Sequence, residues 1–164
     1  MSIMSDALYE RFDSNEAFQH AVDRLLAEPG RELRIFDPDG VALRLNDPPR
    51  IAALERFLRE TRTRRLYLVL HDPEPLQRYC PRMMNLITRY GHAIHVNRTQ
   101  ESIRELQDAF LLLDSMHYVR RPVASFFRGA LGLRDETEAL ALRVRFDEIW
   151  ASSDPGVSGT TVGL

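Results

Sequence analysis

Residues 66 to 70, LYLVL, form a continuous apolar run with no polar alternation. A strand of that kind must be covered on both faces, as in a parallel sheet held between helices. The residues around it obey the same logic. Phe18, Val22, Leu25 and Leu26 recur at helical spacing, with Asp13 or Ser14 as cap and Gly30 beyond the end, which predicts a helix over about 14–27. Leu33 and Ile35 alternate with polar neighbours before Pro38-Asp39-Gly40, which predicts a hairpin with a second short strand. Asn46 or Asp47 followed by Pro48 and Pro49 starts a helix faced by Ile51, Leu54, Phe57 and Leu58. Asp72 and Pro73 open another, made irregular by Pro75 and Pro81, with Leu76, Cys80, Met83, Met84 and Ile87 inward.

After Gly91 come a strand at 93–96, a helical turn, the strand AFLLL, and HYVRR paired with it through Asp114 and Ser115. A last helix over about 135–151 carries Leu142, Phe146, Ile149 and Trp150 on one stripe, with Asp135 and Glu138 as a capping pair. The alternation over 31–113 predicts an α/β protein with a single-domain mixed sheet flanked by helices. The expected domain is 1–151, beginning with an N-terminal helical part at 1–30, and SSDPGVSGTTVGL at 152–164 is expected to be a loose tail.

Composition sets the chemical bounds. The chain has 164 residues, 44% hydrophobic and 28% charged, with a net charge of -2, the balance of a soluble globular domain rather than a dedicated nucleic-acid binder. All 22 basic residues are arginine, so chemistry that needs a deprotonatable side-chain amine is absent. The opening residues lack the pattern of a signal peptide, and no apolar run reaches the ~20 residues of a membrane span. With the single Cys80, expected to be a buried small hydrophobe, this points to the cytoplasm and to no membrane partner.

The element order, the window QDAFLLLD, the hairpin after it and the closing FDEIW resemble one half of the phospholipase D superfamily, over residues 31–151. In that superfamily each half carries His-x-Lys-x-x-x-x-Asp on a strand, and two halves face each other to build one phosphodiesterase site. Here Gln107 stands at the histidine place, Ala109 at the lysine place, and Asp114 alone matches. The nucleophile and the phosphate-holding lysine are missing, so the resemblance implies a phospholipase D-like half without catalysis, and a homodimer contacting through residues 107–121 and the closing helix. RELRIFDPDG, LYLVLHDP, HYVRRP and FDEIW are also similar to an uncharacterised bacterial domain found alone or fused to GNAT acetyltransferases. The phospholipase D-like pattern kept without its nucleophile and lysine implies a binding or regulatory module, and the fused members of the second domain make an acetyltransferase-linked protein a candidate partner.

The candidate ligand-binding residues are His71 and Asp72, at a strand-to-helix junction where open α/β sheets bind ligands, and Asp114, His117, Arg120 and Arg121 around the hairpin. If they converge, they make an arginine-rich pocket for an anionic small ligand. An alternative is a small hydrolase or transferase using His71 with Asp72 or Asp114 as acid and base. Another is a weak nucleic-acid-binding module through Arg56, Arg59, Arg62, Arg64 and Arg65. No cofactor is expected. Asp37-x-Asp39-Gly40 lacks the remaining ligand positions of a calcium loop, and His92 and His95 are spaced to opposite faces of a strand, so no metal site is expected either.

Overall fold

The computed structural model describes residues 6–157, organised on one mixed sheet. In chain order the elements are β1 (Leu8–Phe12), α1 (Asn15–Ala27), β2 (Glu32–Asp37), α2 (Pro48–Arg59), β3 (Arg65–Leu70), α3 (Glu74–Tyr79) and α4 (Pro81–Arg89). There follow β4 (Ile94–Thr99), β5 (Ala109–Leu113), β6 (His117–Arg121), β7 (Gly129–Leu133), α5 (Glu136–Ala151) and β8 (Ser153–Val157). The eight strands lie in the order β1-β7-β6-β5-β2-β3-β4-β8. β2, β3 and β4 are parallel, and every other pairing is antiparallel.

LYLVL lies at the centre of the parallel part, and its side chains divide between two cores as a strand's alternation requires. Leu66, Leu68 and Leu70 join Leu33 and Ile35 under α1, α2 and α4, where Phe18, Leu25, Leu54, Met83 and Leu86 pack. Val69 joins Phe36, Phe110, Leu112 and Tyr118 under α5, whose Ala139, Leu142, Phe146 and Ile149 are the covering side chains.

Helix ends follow local chemistry. Ser14 Oγ accepts the Ala17 N–H at 3.1 Å to start α1, and Asp135 Oδ1 accepts the Glu138 N–H at 3.4 Å to start α5. Asp47 stands at the N-cap of α2 without a side-chain bond, while Asn46 Oδ1 takes the Arg82 N–H at 2.9 Å and so caps the first turn of α4. Pro81 divides the expected long helix into α3 and α4, because it has no N–H to continue the ladder.

Two expectations are corrected. The second strand of the first hairpin is absent: Val41–Leu43 is a 3-10 turn, and β2 pairs with β3 and β5. Asp37 Oδ2 accepts the Gly40 N–H at 2.7 Å, and Gly40 sits at φ 79°, so the chain turns out of the sheet there. Residues 153–157, expected to be loose, form β8 on the edge of β4, and Gln100 N–H donates to Ser152 O at 2.9 Å where they enter it. The rest of the expected tail, 158–164, lies outside the described residues. At the opposite edge, β1 and β7 were not foreseen; Gly129, Ala130 and Gly132 carry too little side chain to show an apolar period.

Candidate functional site

Asp114 and His117 lie at one end of the sheet and the other four candidates at the other end. The β5–β6 register pairs Leu113 with His117 and Ala109 with Arg121, four residues apart, which separates the two groups by roughly 13 Å at ~3.3 Å per residue. Neighbours Arg120 and Arg121 point to opposite faces. The six residues therefore do not form one pocket, since strand period and register both divide them.

At the hairpin end each group has a structural partner. Asp114 takes φ 54° in the turn, and its Oδ1 accepts the N–H groups of Arg31 and Glu32 at 2.9 and 3.0 Å, tying the turn to the start of β2. His117 is buried, and its Nδ1 accepts the Arg134 N–H at 3.0 Å. Burial pulls the imidazole pKa below its ordinary value, more than the nearby Glu28 carboxylate raises it, and the bond from Arg134 requires an unprotonated Nδ1.

The other end holds Gln107 and Ala109, at the start of β5, together with His71, Asp72, Arg120 and Arg121. On the α5 face, the His71 ring lies edge-on to Phe36, with Nε2 2.9 Å from Leu106 O and Nδ1 2.7 Å from Thr99 Oγ1. A carbonyl only accepts, so Nε2–H donates to Leu106 O, and Nδ1 shares a hydrogen bond with the Thr99 hydroxyl. Both nitrogens are occupied. Asp72 is exposed and accepts the Glu74 N–H at 3.0 Å, so neither it nor Asp114 meets His71 as an acid-base partner.

On the α1 face, Arg121 and Asp37 form a buried ion pair at 2.5 Å, with side chains 3% and 2% exposed. Arg121 Nη1 also donates to Ala124 O at 2.7 Å, and the guanidinium lies 4.5 Å above the Phe18 ring and 5.9 Å from that of Phe127. Burial pushes the Asp37 carboxyl up despite the guanidinium beside it, and the same burial pulls Arg121 down. Asp37 also accepts the Gly40 and Asp39 N–H groups, so its oxygens are committed to the fold and are not open for a cation. Among the described residues, no group of three or more His, Cys, Asp or Glu is arranged to hold a metal. Gln107 O accepts the Ala124 N–H at 2.6 Å, and Ala109 is buried opposite Arg121. Sequence reasoning missed Asp37, whose only signal was a strand ending in Asp before Pro-Asp-Gly. Its partner stands 84 residues later. Cys80 is half-buried, and burial raises its thiol pKa, which disfavours the thiolate.

Arg120 borders a hollow on the surface. It pairs with Glu138 at 3.2 Å and lines a 420 Å³ hollow with Tyr9, Arg11, Pro122, Val123, Phe126 and Arg128. α5 packs mainly on β4, β5, β6 and β8, which leaves Tyr9 52% and Phe126 63% exposed beside it. No helix among the described residues is long and apolar enough to cross a membrane.

The sheet order, the helical layers and the β5–β6 hairpin define a single α/β domain whose fold resembles phospholipase D-family structures. Nuc, a phospholipase D family member from Salmonella typhimurium, is similar with a TM-score of 0.64 and 13% identity, over 93% of this chain and 100% of that one. NucT from Helicobacter pylori gives 0.59 and 9%, over 92% and 100%. TrmBL2, an archaeal chromatin protein with a novel mode of DNA binding, gives 0.63 and 14% over 90% of this chain, which spans 54% of TrmBL2. The chain itself belongs to the family described as DUF7931, a domain of unknown function, whose model matches residues 14–158. A comparison with curated proteins finds no match.

Proposed function

We propose that this chain is a non-catalytic phospholipase D-like binding module of the bacterial cytoplasm, working through the open face beside its degenerate motif. The observation that carries the reading is the replacement at the motif positions. Gln107 and Ala109 supply neither a nucleophile nor a cation, the adjoining end of the sheet is closed by Arg121–Asp37, and His71 has both nitrogens engaged. Next to that closed end, Tyr9, Val123 and Phe126 with Arg11, Arg120 and Arg128 offer an apolar centre with a cationic rim, the composition of a protein-binding surface. The partner is a second copy of the chain, meeting this face around a two-fold axis, and an acetyltransferase-linked protein is the next occupant in order.

The test has two arms. The purified protein should leave a chromogenic phosphodiester uncleaved, and light scattering should give about twice 19.0 kDa, returning to the single-chain mass in Phe126→Glu. Cleavage abolished by changing Gln107 or Asp114 sinks the non-catalytic reading; a monomer at high concentration sinks the pairing. A second reading, nucleic-acid contact at the same face, is favoured by its three arginines beside two aromatic rings and by the likeness to TrmBL2. It predicts oligonucleotide binding that weakens steeply with salt.

A further inference from the structure

Arg59, Thr61, Arg62 and Arg64, from the end of α2 and the loop after it, meet Tyr90 and His92, from the loop before β4, around a 560 Å³ hollow floored by Leu58 and Ala93. This hollow lies at the start of β3 and β4, the end of the sheet away from Asp37 and His71. The five steps of β3 separate the two ends by roughly 16 Å.

Of its three arginines only Arg64 is neutralised, by Glu60 from outside the lining. No acidic residue lines the hollow, and the carboxylates of Glu60 and Glu55, on α2 and its C-terminal end, are already engaged. Glu60 holds Arg64 at 2.7 Å, while Glu55 accepts from Arg89 at 2.8 Å and from the Tyr90 hydroxyl at 3.4 Å. Arg59 feels Glu55 one turn back but makes no hydrogen bond or ion pair among the described residues, and neither do the side chains of Arg62 and His92. The loop is also held in shape. Arg65 Nη1 donates to the carbonyls of Arg62 and Arg64 at 3.0 and 2.8 Å, covering the loop's negative dipole ends with another cation. Arg64 is fixed over the Phe57 ring at 5.3 Å as well as by Glu60. The cationic edge of the hollow is therefore partly ordered before any ligand arrives, which lowers the entropy cost of binding.

We infer that this hollow binds a small phosphate-rich anion, a linear polyphosphate or the phosphate chain of a nucleotide, through Arg59, Arg62 and Arg64. Guanidinium forks match phosphate oxygens in bidentate geometry, and three of them beside a histidine suit a ligand carrying several negative charges rather than one carboxylate. The volume falls within the range of small-molecule sites.

Isothermal titration of the full chain with sodium triphosphate tests this, with a nucleoside triphosphate as a second arm. One saturable site per chain is expected, with affinity falling tenfold or more in the Arg59→Ala, Arg62→Ala double variant. Both residues are exposed, so an unchanged melting temperature is expected and serves as the folding control. Arg120→Ala with Arg128→Ala, which alters the face beside the degenerate motif, should leave binding unchanged. Equal affinity in the two arms assigns recognition to the phosphate chain, and tighter nucleotide binding adds a contact to the base, with Tyr90 the aromatic side chain at hand. No heat with either ligand, equal loss in the Arg120 and Arg128 variant, or binding of an oligonucleotide where triphosphate fails would overturn the proposal. Because the two sites are altered by different substitutions, failure here leaves the proposed binding face untouched.

Discussion

Arg121 shows how one buried side chain can hold a fold together. It is a charge inside a core, stacked on Phe18 and answered by Asp37 at the end of β2, with β5 between their strands. Removing one member leaves the other charged and buried, which costs about 3–5 kcal/mol in such pairs. Arg121→Met should therefore lower the urea-derived stability by about that amount. Combining it with Asp37→Leu should recover part of the loss and leave mainly the orphaned Gly40 N–H, at about 1–3 kcal/mol. A double variant worse than the single one would refute this account.

His117 makes a second residue-scale prediction. Its folded pKa lies below the ordinary value of about 6.5, so on acidification the unfolded chain takes up the proton first. The stability His117 contributes is complete above that value and is lost as the pH falls through the folded pKa. The urea midpoint should drop between pH 7.5 and 5.5, and His117→Asn should flatten that part of the profile. An unchanged slope would remove His117 as its source.

Among the elements, α5 carries one core almost alone and depends on its first turn. Asp135 caps it through Glu138 N–H and also accepts the buried Tyr118 hydroxyl at 2.7 Å from β6; burial raises the phenol's pKa, and the bond to the carboxylate raises it further. Asp135→Ala removes both bonds at once. A loss of about 1–2 kcal/mol is expected in denaturant unfolding, with Tyr118→Phe accounting for only part of it. If Tyr118→Phe alone matched it, the cap would be contributing nothing. The elements that were legible beforehand have strong local signals. Ser14 before Phe18 and Val22 gave α1, Pro48 after Asp47 gave α2, and AFLLLDSMHYVRR gave the β5–β6 hairpin. The strands β7 and β8 were not legible, because GALGL and SDPGV have glycine or proline where a strand pattern needs side chains. They are strands because neighbouring edges offer hydrogen bonds, and Gly132 leaves the space that the Tyr118 ring fills.

In the molecule as a whole, the sheet has two edges, β1 and β8, each added to a core that local pattern already defines. β8 shields the β4 edge, and Asn97 donates to Ser153 Oγ at 2.8 Å across it. Ending the chain after residue 152 should expose that edge, lower the melting temperature and promote self-association through β4. A truncated chain as stable and as soluble as the full one would show that β8 adds nothing.

Periodicity by itself determined the α/β class, the two-sided burial of LYLVL and most helix starts, because these depend on side chains a few residues apart. The window QDAFLLLD likewise showed that Gln107 and Ala109 stand where the resembled motif has histidine and lysine. Where the remaining polar groups go was decided only by tertiary structure. Strand alternation sends Arg120 and Arg121 to opposite faces, register carries Asp114 and His117 away from His71, and Asp37 meets Arg121 across 84 residues of sequence. The arginines at 59–64 face His92 for the same reason: contacts between distant segments are set by sheet order, and no local pattern in the chain encodes that order.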